Sequence, residues 1–124
     1  MDPIRVLVVD EDEEVLDLTA TFLERESDRI EAVTEADPEA AAGRADTEDV
    51  DAVVSDYRMP RVDGLDLCAA VRDDDPDLPF FLFTGSTDDE TQAEAEAAGV
   101  TGLVGKGAGT DHYVDLVERI EAAV

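Results

Sequence analysis

Residues 4–15 read IRVLVVDEDEEV, an apolar run interrupted only by Arg5, then five consecutive carboxylates, with Val15 opening a stretch at helical spacing. An apolar run that is continuous rather than alternating suits a strand covered on both faces, as in a parallel sheet. Four more short apolar runs follow, at residues 30–33, 52–54, 80–83 and 103–104, most of them likewise continuous. Between them the spacing predicts helices. Val15, Leu16, Thr19, Phe22 and Leu23 recur every three or four residues and place one apolar stripe on a helix over residues 12–25. Tyr113, Leu116, Val117, Ile120 and Val124 mark a C-terminal helix, with Thr110 or Asp111 suited to cap its start. Residues 38–44, 65–72 and 89–98 are rich in alanine and predict three helices that pack through small faces, two of them ended by Gly43 and Gly99. Strands alternating with helices on short loops give a βα unit repeated five times. The expected fold is therefore α/β, a doubly wound five-stranded parallel sheet with helices on both faces, forming one domain over residues 1–124.

Composition narrows the partners. The 124 residues carry 34 acidic against 9 basic side chains, a formal charge of −25. Phosphates and anionic lipid would be repelled across most of such a surface, so neither nucleic acid nor membrane is expected as a partner. No apolar run nears the roughly 20 residues of a membrane span, and no basic stretch leads into a long apolar one at the N-terminus, which predicts a cytoplasmic protein. Cys68 is the only cysteine, so neither an internal disulfide nor a cysteine zinc site is available, and Cys68 is expected in the core with Leu65 and Val71. The acids are interleaved with periodic apolar segments, which separates this chain from a disordered acidic tail. Its basic residues are eight arginines and one lysine, Lys106, a bias that predicts a halophilic surface adapted to concentrated salt.

In open α/β sheets the ligand crevice lies beyond the carboxyl ends of the strands. Asp10 and Glu11 follow the first run, Ser55 and Asp56 the third, Thr84 and Gly85 the fourth, and Lys106 the fifth. Clustered carboxylates repel one another, a cost that a divalent cation removes, and hard oxygen donors suit magnesium. A metal and the Lys106 ammonium flanking Asp56 can neutralise a phosphoryl group, with the Thr84 hydroxyl donating to one of its oxygens. Asp56 would then serve as a carboxylate nucleophile and form an acyl phosphate. A lone Asp after a strand is ordinarily a cap or turn residue, and only the joint arrangement carries weight. Lys106 carries more on its own, because a chain that otherwise uses arginine places its one ammonium here. His112 is expected as a solvated surface residue and Tyr113 as a packing one. The acidic run at 73–77 lacks the glycine and terminal glutamate of a calcium loop and is expected as a solvated turn.

Four segments, VLVVDEDEEV (6–15), VVSDYRMPRVDGLDL (53–67), FLFTGS (81–86) and GLVGK (102–106), together resemble the response-regulator receiver domain of two-component signalling, of the chemotaxis type. That resemblance implies the strand order 2-1-3-4-5. It further implies that Asp56 is the phosphoacceptor, Asp10 and Glu11 the acidic metal pair, Thr84 the switch hydroxyl and Lys106 the phosphate-contacting lysine. A backbone carbonyl at Arg58 would complete the Mg2+ ligands, and the side chains of Arg58 and Ser86 would flank the attacking water. The chain departs from the pattern at Glu11, where Asp is usual, at Gly107, where a proline with a cis bond is usual, and at Leu103, where an inward-turning aromatic is usual. The implied function is a signalling module, not an enzyme, that takes a phosphoryl group from a histidine kinase and alters its surface toward a downstream protein. Alternatives are a phosphate sink or relay domain of a larger sensor, a partner-binding pseudo-receiver, and a small Asp-nucleophile phosphatase suggested by Asp10 and Asp12. Against the last, Glu14 stands where that motif wants Thr or Val.

The charge yields the first test. At about 1 M salt the Debye length is roughly 3 Å, so repulsion that loosens the fold in dilute buffer is screened. The melting temperature is expected to rise steadily from dilute buffer to molar salt. A flat profile in a thermal unfolding series would contradict the halophilic reading.

Overall fold

The computed structural model describes residues 3–59, 61–85, 88–106 and 111–124. Among these, strands and helices alternate as β1 (Ile4–Val9), α1 (Glu13–Glu26), β2 (Ile30–Glu35), α2 (Pro38–Thr47), β3 (Ala52–Ser55), α3 (Gly64–Asp74), β4 (Phe80–Thr84), α4 (Asp89–Ala98), β5 (Gly102–Gly105) and α5 (Asp111–Ala123). The strands pair in parallel in the order β2-β1-β3-β4-β5, the doubly wound arrangement expected. The order reverses at β1, which has β2 on one side and β3 on the other, and this opens the crevice at the carboxyl ends of β1 and β3.

Successive strand residues face opposite sides, and that alternation sorts the apolar runs into two cores. Val6 and Val8 of β1 and Phe81 and Phe83 of β4 join Leu16, Leu23, Tyr113, Leu116 and Ile120 under α1 and α5. Leu7 and Val9, with Phe80 and Leu82, join Leu67, Cys68, Val71 and Ala95 under α2, α3 and α4. Cys68 is fully buried and Leu65 packs at the core margin, as expected. No helix among the described residues is long and apolar enough to cross a membrane.

The helix ends differ from expectation in instructive places. Asp12 is not in α1 but caps it, its carboxylate accepting from the Glu14 and Val15 amides, while Glu13 and Glu14 favour the helix's positive end. Gly43 does not end α2, which continues to Thr47 with Ala41 and Ala45 buried. A glycine stops a helix by turning left-handed, and Gly99 does so after α4 with φ 86°. Val124 lies beyond α5 and is half exposed, so it is not part of the buried stripe. His112 is half-buried against Phe83 and Tyr113 rather than solvated. The acidic run at 73–77 is an exposed turn in which Asp75 closes α3 and accepts from the Asp77 amide. Thr110 lies outside the described residues, and α5 opens at Asp111.

Two glycines give opposite expectations. A Cβ on Gly64 would sit 2.6 Å from the Asp56 carbonyl oxygen and 2.6 Å from Leu82 Cδ2, whereas one on Gly43 would meet nothing within 4 Å. Gly64→Ala should destabilise by about 1–3 kcal/mol through overpacking. Gly43→Ala should stabilise by up to about 1 kcal/mol through helix propensity. Urea unfolding of both variants measures the contrast, and effects of the same sign would contradict it.

Candidate functional site

Register brings the first two carboxylates together. Val9 pairs with Ser55, and the Asp56 amide donates to the Val9 carbonyl at 2.9 Å, so Asp10 and Asp56 leave the sheet side by side. The Ser55 hydroxyl donates to the Asp56 carbonyl at 2.8 Å, and the Gly64 amide donates to the Tyr57 carbonyl at 2.7 Å, which fixes the loop after β3. Asp10 is almost fully buried and gives one oxygen to the Asp12 amide at 2.9 Å.

Lys106 joins them from the far strand. Its amide donates to the Thr84 carbonyl at 2.7 Å, and its Nζ lies 3.3 Å from Asp10 Oδ2 and 3.2 Å from Asp56 Oδ1. On the way the ammonium passes over the Phe83 ring, 5.5 Å from its centroid. Thr84 ends β4 and is buried, two residues beyond Leu82, the partner of Ser55. Asp10, Asp56, Thr84 and Lys106 therefore occupy one edge of the sheet. Glu11 and Arg58 are exposed beside it and line a groove with Tyr57, Met59 and Asp63. Among the described residues no three His, Cys, Asp or Glu side chains are drawn together as a metal cluster, so Glu11 does not converge with Asp10 and Asp56. Ser86 and Gly107 lie outside the described residues.

The electrostatics follow from two carboxylates sharing one ammonium. Burial raises the Asp56 carboxyl above the usual carboxylate range, Lys106 pulls it down, and Asp10 pushes it up again; the net shift is upward. A carboxyl raised in the native state favours folding while protonated, and that contribution is lost as pH rises through the native value. At neutral pH the ionised Asp56 is thus a cost to the fold. A buried and a partly buried carboxylate, hard oxygen donors with one compensating cation, suit a divalent ion of the magnesium kind.

Two contacts at the site carry no local sequence signal. Tyr57 is buried under the Arg58 guanidinium, 5.4 Å from its ring centroid, and its hydroxyl donates to the Glu94 carboxylate of α4. That hydrogen bond, with burial and the Glu94 charge, pushes the phenol up to about 12. Phe83, behind Lys106, also belongs to an aromatic group in which Phe22 stacks on Tyr113 at 4.7 Å and His112 stacks on Phe83 at 5.4 Å.

Comparison with known proteins agrees with this architecture. The chain is 28% identical over 125 residues to the heme response regulator HssR of Staphylococcus saprophyticus, covering 95% of this chain and 50% of that protein. It is 31% identical over 85 residues to the alkaline phosphatase synthesis transcriptional regulatory protein PhoP of Bacillus subtilis, covering 68% of this chain and 35% of that one. The chain thus spans half or less of these two relatives. Among solved structures, chemotaxis protein CheY4 of Vibrio cholerae superposes with a TM-score of 0.86 at 26% identity, over 95% of this chain and 98% of that one. The response regulator domain of Thermotoga maritima CheB shares the fold with a TM-score of 0.87 at 21% identity, over 98% and 96% of the two chains. The family model for the response regulator receiver domain matches residues 6–118, from within β1 to within α5. By that match and by its strand order, the chain belongs to the response regulator receiver domain family.

Proposed function

We propose that this receiver accepts a phosphoryl group on Asp56 from a histidine kinase in the cytoplasm, as a signalling step and not as turnover of a substrate. The observation that carries the reading is the Lys106 ammonium held between Asp10 and Asp56. An Asp56 oxygen attacks phosphorus, the P–N bond to the donor imidazole breaks, and the product is an acyl phosphate. Burial and the neighbouring Asp10 make the Asp56 carboxylate more basic than a solvated one, which favours it as nucleophile. Lys106 then offers its charge to the transferred oxygens, and the Thr84 hydroxyl is the donor proposed for another of them. The carboxylates of Asp10 and Asp56 and the Arg58 carbonyl, with Glu11 alongside, would hold Mg2+. When bound, the ion supplies charge neutralisation to the phosphoryl group.

Acetyl phosphate with magnesium should add one phosphoryl group to the wild-type chain and none to Asp56→Asn, read by intact-mass spectrometry. Labelling of Asp56→Asn, or labelling without any divalent ion, would overturn the assignment.

A further inference from the structure

We propose that the Tyr57–Glu94 pair is the connection through which the state of Asp56 reaches α4; the inference rests on the phosphoacceptor reading above. β5 carries Leu103, where the family pattern usually has an aromatic, and a leucine has no polar tip to bond across the site. Tyr57 supplies both missing features from another strand end. It follows Asp56 directly, and its own amide donates to Asp56 Oδ1 at 2.9 Å. Its carbonyl accepts from the Gly64 amide, so the backbone on both sides of the ring is hydrogen-bonded, to Asp56 on one side and to the start of α3 on the other. The ring is buried in the same core cluster as Leu82 and Ala95, against which Leu103 packs, and its hydroxyl donates to Glu94.

The helix at the other end is weakly anchored. The residues α4 buries are Thr91 and Ala95, both small, which contribute far less than a buried leucine or phenylalanine would. A hydrogen bond to a carboxylate is stronger than one between neutral groups, so the Tyr57 hydroxyl is a substantial part of what orients such a helix. Asp56 Oδ1 holds both the Tyr57 amide and the Lys106 ammonium. Converting that carboxylate to an acyl phosphate redistributes its charge and draws Lys106 toward the new oxygens. The Tyr57 peptide loses part of its acceptor, and its hydroxyl shifts relative to Glu94. Tyr57 acts here as a positioning residue, not a catalytic one.

Amide exchange across residues 88–99, with and without beryllofluoride and magnesium, tests the link. Glu94 is exposed and remote from Asp56 chemistry, so Glu94→Ala should fold and take up one phosphoryl group from acetyl phosphate as the wild type does. In Tyr57→Phe and in Glu94→Ala the α4 exchange response should fall to roughly half or less, and the double variant should fall no further, as two halves of one contact require. Glu94→Gln, whose amide oxygen still accepts, should restore the response. A full α4 response in Tyr57→Phe, or additive losses in the double variant, would overturn the link while leaving the phosphoacceptor intact. Failure of the wild type to take up a phosphoryl group would instead remove the phosphoacceptor reading, and the link with it.

Discussion

One ammonium between two carboxylates is the constraint on which the site depends. At about 4 Å, opposite unit charges attract by about 1 kcal/mol in water and about 4 kcal/mol at the effective dielectric of a protein site. Exposed ion pairs such as Arg119 with Asp115 sit at the low end of that range, about 0–1 kcal/mol each. Lys106 is partly shielded and serves two partners, which lifts its contribution above that of such an exposed pair. Even so, it does not fully compensate Asp56, which remains raised. Burial is the largest cause of that rise, so two carboxylates share one ammonium in a partly desolvated setting, and the proposed metal and phosphoryl group would meet an incompletely neutralised site.

Placing that ammonium requires most of the sheet. Asp10 comes from β1, Asp56 from β3, Thr84 from β4 and Lys106 from β5, and the parallel order puts all four on one edge. The Thr84 carbonyl fixes the Lys106 backbone, and the Phe83 ring supports its head. Gly64 lets α3 approach the Asp56 carbonyl more closely than any side chain permits. Fold and site are thus one arrangement, and a change at a supporting position such as Gly64 reaches the carboxylate through backbone contact alone.

Much of this was legible in the sequence because it rests on short-range pattern. Continuous apolar runs marked the strands, and the polar residue after each marked the edge where Asp10, Asp56, Thr84 and Lys106 meet. The end of α2 was misread because Gly43 signals a stop only when it turns left-handed, and the buried faces of Ala41 and Ala45 carry the helix through it. His112 was misread because one polar residue at a helix start says nothing of the Phe83 and Tyr113 rings that fold over it. The Tyr57–Glu94 bond spans 37 positions and joins elements whose proximity only the tertiary fold establishes. Glu11 follows Asp10 directly, yet it is exposed and lines the groove beside the site while Asp10 is buried, since adjacency in sequence does not fix burial.

Burial and Asp10 hold the Asp56 carboxyl high while Lys106 restrains it. A carbon-13 NMR titration of the Asp56 side chain, in wild type and in Lys106→Met, measures this directly. The wild-type carboxyl should titrate above the ordinary carboxylate range, and removing the ammonium should raise it further. An Asp56 that titrates at or below the ordinary value, or that is unmoved by Lys106→Met, would contradict this balance of charges.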